Sequence, residues 1–253
     1  PRIASIFAAQ QRWLMAHAGF ALHYGLPGED KKGLYSGRFV DFIVSNKIAS
    51  RNTAAAFLQE MLVYRFLRPS TGQADRRTRL VEPTETAEQH FLKWLVTHLF
   101  ILDNLDGGKR AEKVIAEPNL IAKIQPLIAL AILETNPVRD PGATYNLFNW
   151  ANSGGLVMDY LMSRLPPFDP AQERVSIGPV SLGELRTKFM ISNTHLKRLL
   201  TQAGEMGSVG WDEPPRKGDL WLSRGFILEY RNYQAAKFAV VDAAAEAVLG
   251  PAV

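Results

Sequence analysis

An internal repeat constrains the fold more than any other feature, because the C-terminal half presents the segments of the N-terminal half again about 140 residues later. Each half opens with an aromatic-rich helical stretch that ends in proline, at Pro27 and at Pro166. Each half then has a polar helix start, at Ser50 and at Ser192, followed by a short apolar strand and a long helix. The same order at the same spacing predicts two tandem copies of one fold.

In the first copy, the segment from Ile48 to Leu67 is predicted to be a helix that Ser50 opens. Its apolar residues recur at helical spacing, at Ala54, Phe57, Leu58, Met61 and Leu62. The first turn carries Arg51, Asn52 and Thr53, which are side chains that contact base edges and phosphates in helix-turn-helix proteins. The segment from Ser36 to Ser45 is predicted to be the supporting helix.

An arginine cluster follows this helix and lies between two turn and strand signals. Arg76, Arg77 and Arg79 come after a Pro-Ser-Thr-Gly turn and overlap a short strand predicted from Thr78 to Val81. A second, longer helix is predicted from Thr84 to Leu105. Guanidinium groups that project from such a hairpin would contact phosphates, so the cluster is predicted to be a DNA-binding wing.

The second copy has a matching pair of helices, predicted from Leu182 to Phe189 and from Ser192 to Gln202, with Gly204 ending the second one. The predicted polar side of the second helix carries Asn193, Thr194, His195, Lys197 and Arg198. The wing that follows, from Asp212 to Asp219, is acidic as well as basic. We expect it to bind phosphate less strongly than the first wing.

These residues resemble the MarR family of bacterial transcriptional regulators, whose wing carries Asp-Arg-Arg before a strand and a Thr-initiated dimerisation helix. Asp75-Arg76-Arg77 and the segment from Leu80 to Thr84 match that pattern, and the resemblance extends roughly from Gly37 to Leu105. The chain departs from the family at Phe66, where a glycine commonly ends the recognition helix. The resemblance implies DNA binding as a two-fold dimer, often relieved by a small aromatic ligand between the dimerisation and DNA-binding parts.

The predicted fold is mainly α with small β-hairpin wings, in two tandem winged-helix domains joined by a helical connector. The predicted boundaries are 1–107 for the first copy with its dimerisation-type helices, 108–142 for the connector and 143–253 for the second copy. The connector contains an apolar helix from about Asn119 to Leu133 and a Pro-rich break that begins at Asn136. The two copies are expected to form a pseudo-dimer within one chain, and the chain is expected to be a monomer or a homodimer.

Composition agrees with a DNA-binding protein but does not require one. The net charge is +4 and the pI is about 9.3, which favours polyanionic partners weakly. Hydrophobic residues make up 47% of the chain, yet no apolar run approaches the about 18 residues of a membrane span. The segment from Ile3 to Leu22 is too polar for a signal peptide, and the chain has no cysteine. A cytoplasmic protein is predicted.

Other site chemistries find little support in the sequence. The five histidines lack metal-ligand spacing, and neither a phosphate loop nor a nucleophile elbow is present, so no metal, cofactor or catalytic residue is assigned. Aromatic residues such as Trp94 and Trp150 could line a ligand pocket, although helix packing explains most of them. The predicted function is operator binding through the helices that start at Ser50 and Ser192. Two alternatives are a degenerate winged-helix scaffold that does not bind DNA and an enzyme with a site between the lobes.

Overall fold

The computed structural model describes residues 7–70, 80–213 and 217–251. Helices dominate these residues, together with two separate antiparallel sheets of three short strands each. The prediction of a mainly helical fold with small β elements is therefore confirmed.

The elements of the first half are α1 (Gln10–Tyr24), β1 (Leu34–Tyr35), α2 (Ser36–Ser45), α3 (Arg51–Val63), β2 (Leu67–Pro69), β3 (Leu80–Pro83) and α4 (Glu85–Asp106). The chain continues through α5 (Arg110–Ala116), a single 3₁₀ turn (Pro118–Leu120), α6 (Ile121–Glu134), α7 (Asn136–Arg139) and α8 (Ala143–Asn149). The remaining elements are α9 (Gly154–Ser163), β4 (Arg174–Ser176), α10 (Leu182–Phe189), α11 (Asn193–Glu205), β5 (Val209–Glu213), β6 (Lys217–Ser223) and α12 (Arg224–Leu249).

The two sheets share one topology. The first sheet has the order β1-β3-β2 and the second has the order β4-β6-β5, and every pairing is antiparallel. In each sheet the central strand places a buried apolar residue opposite a buried residue of the first strand, Val81 opposite Leu34 and Leu222 opposite Val175. In both halves the third strand along the chain therefore lies between the first two strands in the sheet. The repeat seen in the sequence is thus also a repeat of fold topology.

The chain divides into two compact units. The N-terminal unit comprises Leu14–Thr135 and Ala236–Val253, and the C-terminal unit comprises Pro1–Trp13 and Asn136–Ala235. Helices α1 and α12 each contribute residues to both units. The predicted three-part division, with an independent connector from 108 to 142, stays a prediction. Helices α5 and α6 belong to the N-terminal unit, together with the predicted first copy, whereas α7 belongs to the C-terminal unit.

The core of the N-terminal unit is built where α2 meets α3. Phe39, Val40 and Ile43 lie on one face of α2, because residues three and four apart in a helix share a face. Phe39 stacks on Phe57 of α3 with 6.1 Å between ring centroids, and both rings are buried. Burial of a side chain of this size contributes about 1.5–3 kcal/mol to folding, so this pair fixes α2 against α3.

A buried arginine connects three helices of the N-terminal unit. The guanidinium of Arg110 at the start of α5 donates to Asp103 (3.0 Å) and Asp106 (2.6 Å) at the end of α4. It also pairs with Asp242 of α12 at 2.9 Å. Asp103 additionally accepts the backbone N–H of Ala111 at 2.8 Å, so its carboxylate satisfies an otherwise unpaired donor in the first turn of α5. The Arg110 pairing lowers the pKa of Asp106 to about 2.

Several predicted helix limits are corrected by the structure. The helix predicted from Ile48 to Leu67 spans only Arg51–Val63, because the chain turns at Arg65 and enters β2. Gly204 does not end α11: the helix continues to Glu205, and Gly207 takes the left-handed conformation with φ 69°.

The aromatic-rich stretch from Tyr145 to Pro166 is two helices rather than one. α8 and α9 are separated by a turn in which Ser153 has φ 57°. Gly154 and Gly155 start α9, and a Cβ at Gly155 would lie 2.7 Å from the carbonyl oxygen of Ala8. Gly155 therefore permits a close approach between the beginning of α9 and the backbone of Ala8.

Among the described residues, no single helix is long and apolar enough to cross a membrane. The pair Arg110–Ala116 and Pro118–Glu134, bent by 111°, passes that test by length and composition alone.

Candidate nucleic-acid interface

Each copy turns between its two central helices at a left-handed residue. Lys47 after α2 and Met190 after α10 both have φ 53°, a conformation that is uncommon for residues other than glycine. The isoleucine that follows each of them, Ile48 or Ile191, is buried. The two turns therefore have the same construction. In each copy a buried isoleucine anchors the turn that leads into α3 or α11.

The N-termini of these two helices are capped as the sequence predicts. The hydroxyl oxygen of Ser50 accepts the backbone N–H of Thr53, and that of Ser192 accepts the backbone N–H of His195, both at 3.2 Å. Both serines have extended backbone, as N-cap residues do. The predicted helix starts are thus confirmed, and they leave the side chains of the first turn outside the capping interaction, apart from the hydroxyl of Thr53, which bonds that of Ser50 at 2.9 Å.

The C-termini of the two helices also match. Arg65 after α3 has φ 59°, and Gly207 after α11 has φ 69°. The next residue donates its backbone N–H back to the helix in both cases, Phe66 to Met61 and Ser208 to Ala203, each at 2.9 Å. This hydrogen bond, which runs to the carbonyl five positions earlier, satisfies a carbonyl that a helix end leaves unpaired. Arg65, in the left-handed conformation, directly precedes Phe66, the position at which the resemblance implied a glycine.

The exposed face of α11 is polar and basic. Asn193, Thr194, Lys197 and Arg198 are exposed, while the apolar Leu196, Leu199 and Leu200 are buried. His195 is half-buried, and its Nδ1 accepts a hydrogen bond from the guanidinium of Arg198 at 3.2 Å. A helix whose N-terminal end exposes amide, hydroxyl and ammonium groups can contact base edges and phosphates.

The exposed face of α3 has a different chemistry. Arg51 is exposed but pairs with Asp41 of α2 at 2.8 Å, and Asn52 is exposed beside it. Further along the same face the exposed residues are Ala55, Ala56, Gln59 and Val63, the last 77% exposed. The ion pair is accessible to water on both sides and so contributes little to stability. It nevertheless places a carboxylate beside the first cation of α3, which weakens the attraction of this helix for phosphate.

The two wings are only partly described. Arg76, Arg77 and Arg79 lie outside the described residues, so their DNA-binding role stays a prediction. At the base of the first hairpin, Arg68 of β2 pairs with Glu82 of β3 at 2.8 Å. In the second hairpin, Lys217 is exposed, whereas Asp219 accepts a hydrogen bond from Ser176 of β4 at 3.1 Å.

Sequence reasoning missed two exposed cations beside α11. Arg186 and Lys188 lie in the last turn of α10 and are exposed. The ammonium of Lys188 lies 4.9 Å from the centre of the Tyr160 ring, which positions it on an aromatic face. Their position in the last turn of a helix was a visible signal, but cations there are commonly explained by the helix dipole.

No group of three or more His, Asp or Glu side chains suited to a metal ion occurs within the described ranges. No family model, curated protein or solved structure matches this chain.

Proposed function

We propose that this chain is a DNA-binding transcriptional regulator built from two tandem winged-helix domains, and that α11 of the second copy is its principal DNA-reading helix. The order helix, strand, two helices and two strands, with the last strand central in the sheet, recurs in both halves and supports the winged-helix assignment. A cytoplasmic location and a pseudo-dimeric or homodimeric state accord with this function.

The observation that carries the proposal is the exposed face of α11. The rival interpretation, a scaffold that does not bind DNA, would be favoured if this face were buried against the rest of the protein. Asn193, Thr194 and Lys197 are exposed instead, at the N-terminal end of a capped helix that follows a tight corner. In helix-turn-helix proteins the residues at this end of the second helix contact base edges in the major groove.

The two copies are proposed to contribute unequally. α11 has Lys197 and Arg198 exposed, and α10 adds Arg186 and Lys188. α3 has Arg51 with its charge offset by Asp41 and is otherwise neutral or apolar at the surface. Phosphate attraction depends on such cations, so the second copy supplies the larger share of affinity from described residues. Arg76, Arg77 and Arg79 of the first wing would add to it.

The test is a titration of the full chain against duplex DNA selected from a random pool, at two salt concentrations. We expect Lys197→Ala to weaken binding and to reduce the slope of log K against log salt by about 1, because one phosphate contact is lost. Asn193→Ala, which removes an amide but no charge, should relax sequence preference without changing the salt slope.

Lys123→Ala is the matched control, because Lys123 is exposed on α6 and distant in sequence from both predicted reading helices. It should bind DNA as the unaltered chain does. Absence of binding to every duplex at low salt would overturn the proposal and favour the scaffold. The same assay applied to Arg76→Ala with Arg77→Ala tests the first wing, and unchanged affinity would reject it.

The scaffold interpretation retains one specific support, which concerns the first copy alone. The exposed Ala55, Ala56 and Val63 make the surface of α3 less polar than that of α11. A helix surface of that kind is suited to contact protein as well as DNA. Loss of DNA binding on changing α11 but not α3 would assign the two roles to different copies.

A further inference from the structure

A groove of ≈ 410 Å³ lies within the C-terminal unit, between α8 with the turn that follows it and α11. We call it the α8–α11 groove. The polar and aromatic side chains that line it are Asn146, Trp150, Asn152, His195, Arg198 and Gln202. Three of these, His195, Arg198 and Gln202, belong to the proposed DNA-reading helix, while Asn146 and Trp150 do not. Its volume falls within the range of small-molecule sites, about 300–1,000 Å³.

The α8 wall of the groove is held in place on several sides. The Thr144 and Ser208 hydroxyls hydrogen-bond at 2.6 Å in the interior. Glu229 of α12 accepts the backbone N–H of Tyr145 at 2.7 Å, at the first turn of α8. At the other end, the amide of Asn149 donates to Gln10. Such attachments make the groove a preformed feature rather than a gap between loose helices.

The hydrogen-bonding state of His195 follows from its neighbour. A guanidinium has no acceptor, so Arg198 must donate and Nδ1 of His195 must accept. The ring hydrogen is then on Nε2. That atom is buried and has no hydrogen-bond partner among the described residues. His195, which lines the groove, therefore carries a donor that has no partner within the described residues.

Asn146 offers the complementary group. Its amide nitrogen donates to the carboxylate of Asp140, which fixes the orientation of the side chain. Oδ1 then points away from that carboxylate, and it too is buried without a partner among the described residues. An unused acceptor and an unused donor thus belong to two residues that line the same groove, and both atoms are shielded from solvent. Buried polar atoms without partners are uncommon, and each is expected to have a reason.

An aromatic face and a cation complete the site. Trp150 is 50% exposed although it is the largest side chain of the groove. Arg198 and Gln202 are exposed on α11, so their side chains have room to rotate and admit a ligand to the shielded atoms. A planar ring stacks on an indole face, and an anionic group pairs with a guanidinium.

We propose that the α8–α11 groove binds a nucleotide, with the base stacked on Trp150, its donor and acceptor edge paired with Asn146 and His195, and the phosphate bound by Arg198. A simple aromatic acid would stack and would satisfy Arg198, but its ring presents no adjacent donor and acceptor. A nucleobase presents both. The nucleotide is either free in solution or a unit of a single strand.

This inference has a regulatory consequence that rests on the proposed function. His195 and Arg198 cannot serve a nucleotide in the groove and duplex DNA at once. A bound nucleotide therefore lowers the affinity of α11 for duplex DNA.

The test is isothermal titration of the full chain with adenosine, guanosine, cytidine and uridine 5′-monophosphates, and with a single-stranded oligonucleotide. We expect at least one mononucleotide or the strand to bind with a Kd below about 1 mM. Trp150→Leu should weaken that binding at least tenfold. Arg198→Gln should weaken nucleotide binding similarly. It should leave the binding of the corresponding nucleoside, titrated in parallel, unchanged, because a nucleoside lacks the phosphate.

Arg231→Gln is the matched control, an exposed arginine of α12 outside the groove and outside the proposed DNA-binding surface, and should leave nucleotide binding unchanged. Sensitivity to Trp150→Leu with mononucleotides identifies a free ligand, and the same sensitivity with the strand alone identifies a single-stranded source. No binding of any of these probes, or binding that both groove variants leave unchanged, overturns the proposal.

Duplex binding is measured in parallel so that the two proposals fail separately. Trp150 lies outside α11, so Trp150→Leu should retain duplex binding. A chain that binds nucleotide but no duplex would reject the regulator and keep the groove. A chain that binds duplex but no nucleotide would reject the groove proposal and keep the regulator.

Discussion

His17 lies inside the N-terminal unit, on α1. Its ring makes edge contacts with Phe91 and Trp94 of α4, at 5.0 and 4.7 Å between centroids. Gln125 of α6 donates to the backbone oxygen of His17 at 3.0 Å. Burial lowers the pKa of His17 to about 3, helped by His98 and Lys237 nearby. Burial and Lys237 likewise lower the pKa of His98 to about 4.

These two histidines predict a loss of stability in mild acid. In the unfolded chain each takes up a proton near pH 6.5, whereas the folded protein does not until about pH 4 for His98 and about pH 3 for His17. The stability that neutral burial contributes is thus present above pH 6.5 and falls with decreasing pH, by at most about 1.4 kcal/mol per pH unit for each histidine. Urea unfolding at pH 7.5, 6 and 5 measures it.

His17→Gln should make this pH dependence shallower, whatever its effect at pH 7.5, because one of the two titrating groups is gone. His90→Gln is the control, since His90 is exposed on α4. An identical pH dependence in His17→Gln and in the unaltered chain would contradict the prediction.

At the scale of single elements, α3 and α11 are equivalent in construction and different in surface. Each has 13 residues, begins after a capping serine and ends in a left-handed turn with the same backbone hydrogen bonds. The capping serine and the backbone geometry of the two ends are therefore common to both copies, although the left-handed residue is Arg65 in one and Gly207 in the other. The side chains exposed between the ends are a property of each copy, and they decide what each helix contacts.

Equivalent caps predict equivalent costs. Ser50→Ala and Ser192→Ala each remove the acceptor of one backbone N–H and should each lower the free energy of unfolding by about 1 kcal/mol. Urea unfolding measures both. Ser163→Ala is the control, because the Ser163 hydroxyl donates to Tyr160 at the C-terminal end of α9 and caps no N-terminus. Costs no larger than that of the control would show that the two hydroxyls contribute nothing as caps.

The whole molecule combines two copies of one topology with unequal charge at their proposed reading helices. The net charge of +4 is too small to predict a polyanion partner by itself, so the placement of the cations matters more than their total. In the second copy, Arg186, Lys188, Lys197 and Arg198 are exposed on two adjacent helices. In the first copy, Asp41 neutralises Arg51.

This inequality predicts an asymmetric footprint on DNA. Hydroxyl-radical cleavage of a selected duplex should show one part of the site protected more strongly than the other. Lys197→Ala should reduce protection of the more strongly protected part more than protection of the other part, because it removes a phosphate contact from the more basic helix. Arg51→Ala should leave that part protected. Equal protection of both parts, or equal effects of the two variants, would contradict the proposed division of roles.

Local patterns account for the part of the fold that the sequence predicted correctly. A serine before an apolar helical period predicted the starts of α3 and α11, since a cap bonds within its own first turn. The supporting helices Ser36–Ser45 and Leu182–Phe189 were predicted at their observed limits, although only the second begins after a capping serine, Ser181. The break between α8 and α9 was missed, because the apolar pattern continues through it and the left-handed Ser153 gives no local signal.

The candidate site was predictable only as a set of residue types. Asn193, Thr194, Lys197 and Arg198 were expected on a polar face and are exposed. His195 was expected among them but is half-buried beside Trp150 and Asn146 in the groove. Those two residues precede it by more than forty positions, so helical spacing could not relate them.

By itself, the sequence determined the order of the main helices, the capped starts of the two equivalent helices and the repetition of this helical succession. These depend on backbone preferences and side-chain periods that act over a few residues. Tertiary structure decided that Asp41 offsets Arg51, that Gly155 meets the backbone of Ala8 and that α1 and α12 contribute to both compact units. Each of these depends on separate elements that meet in the packed core, so no pattern within a single element predicts it.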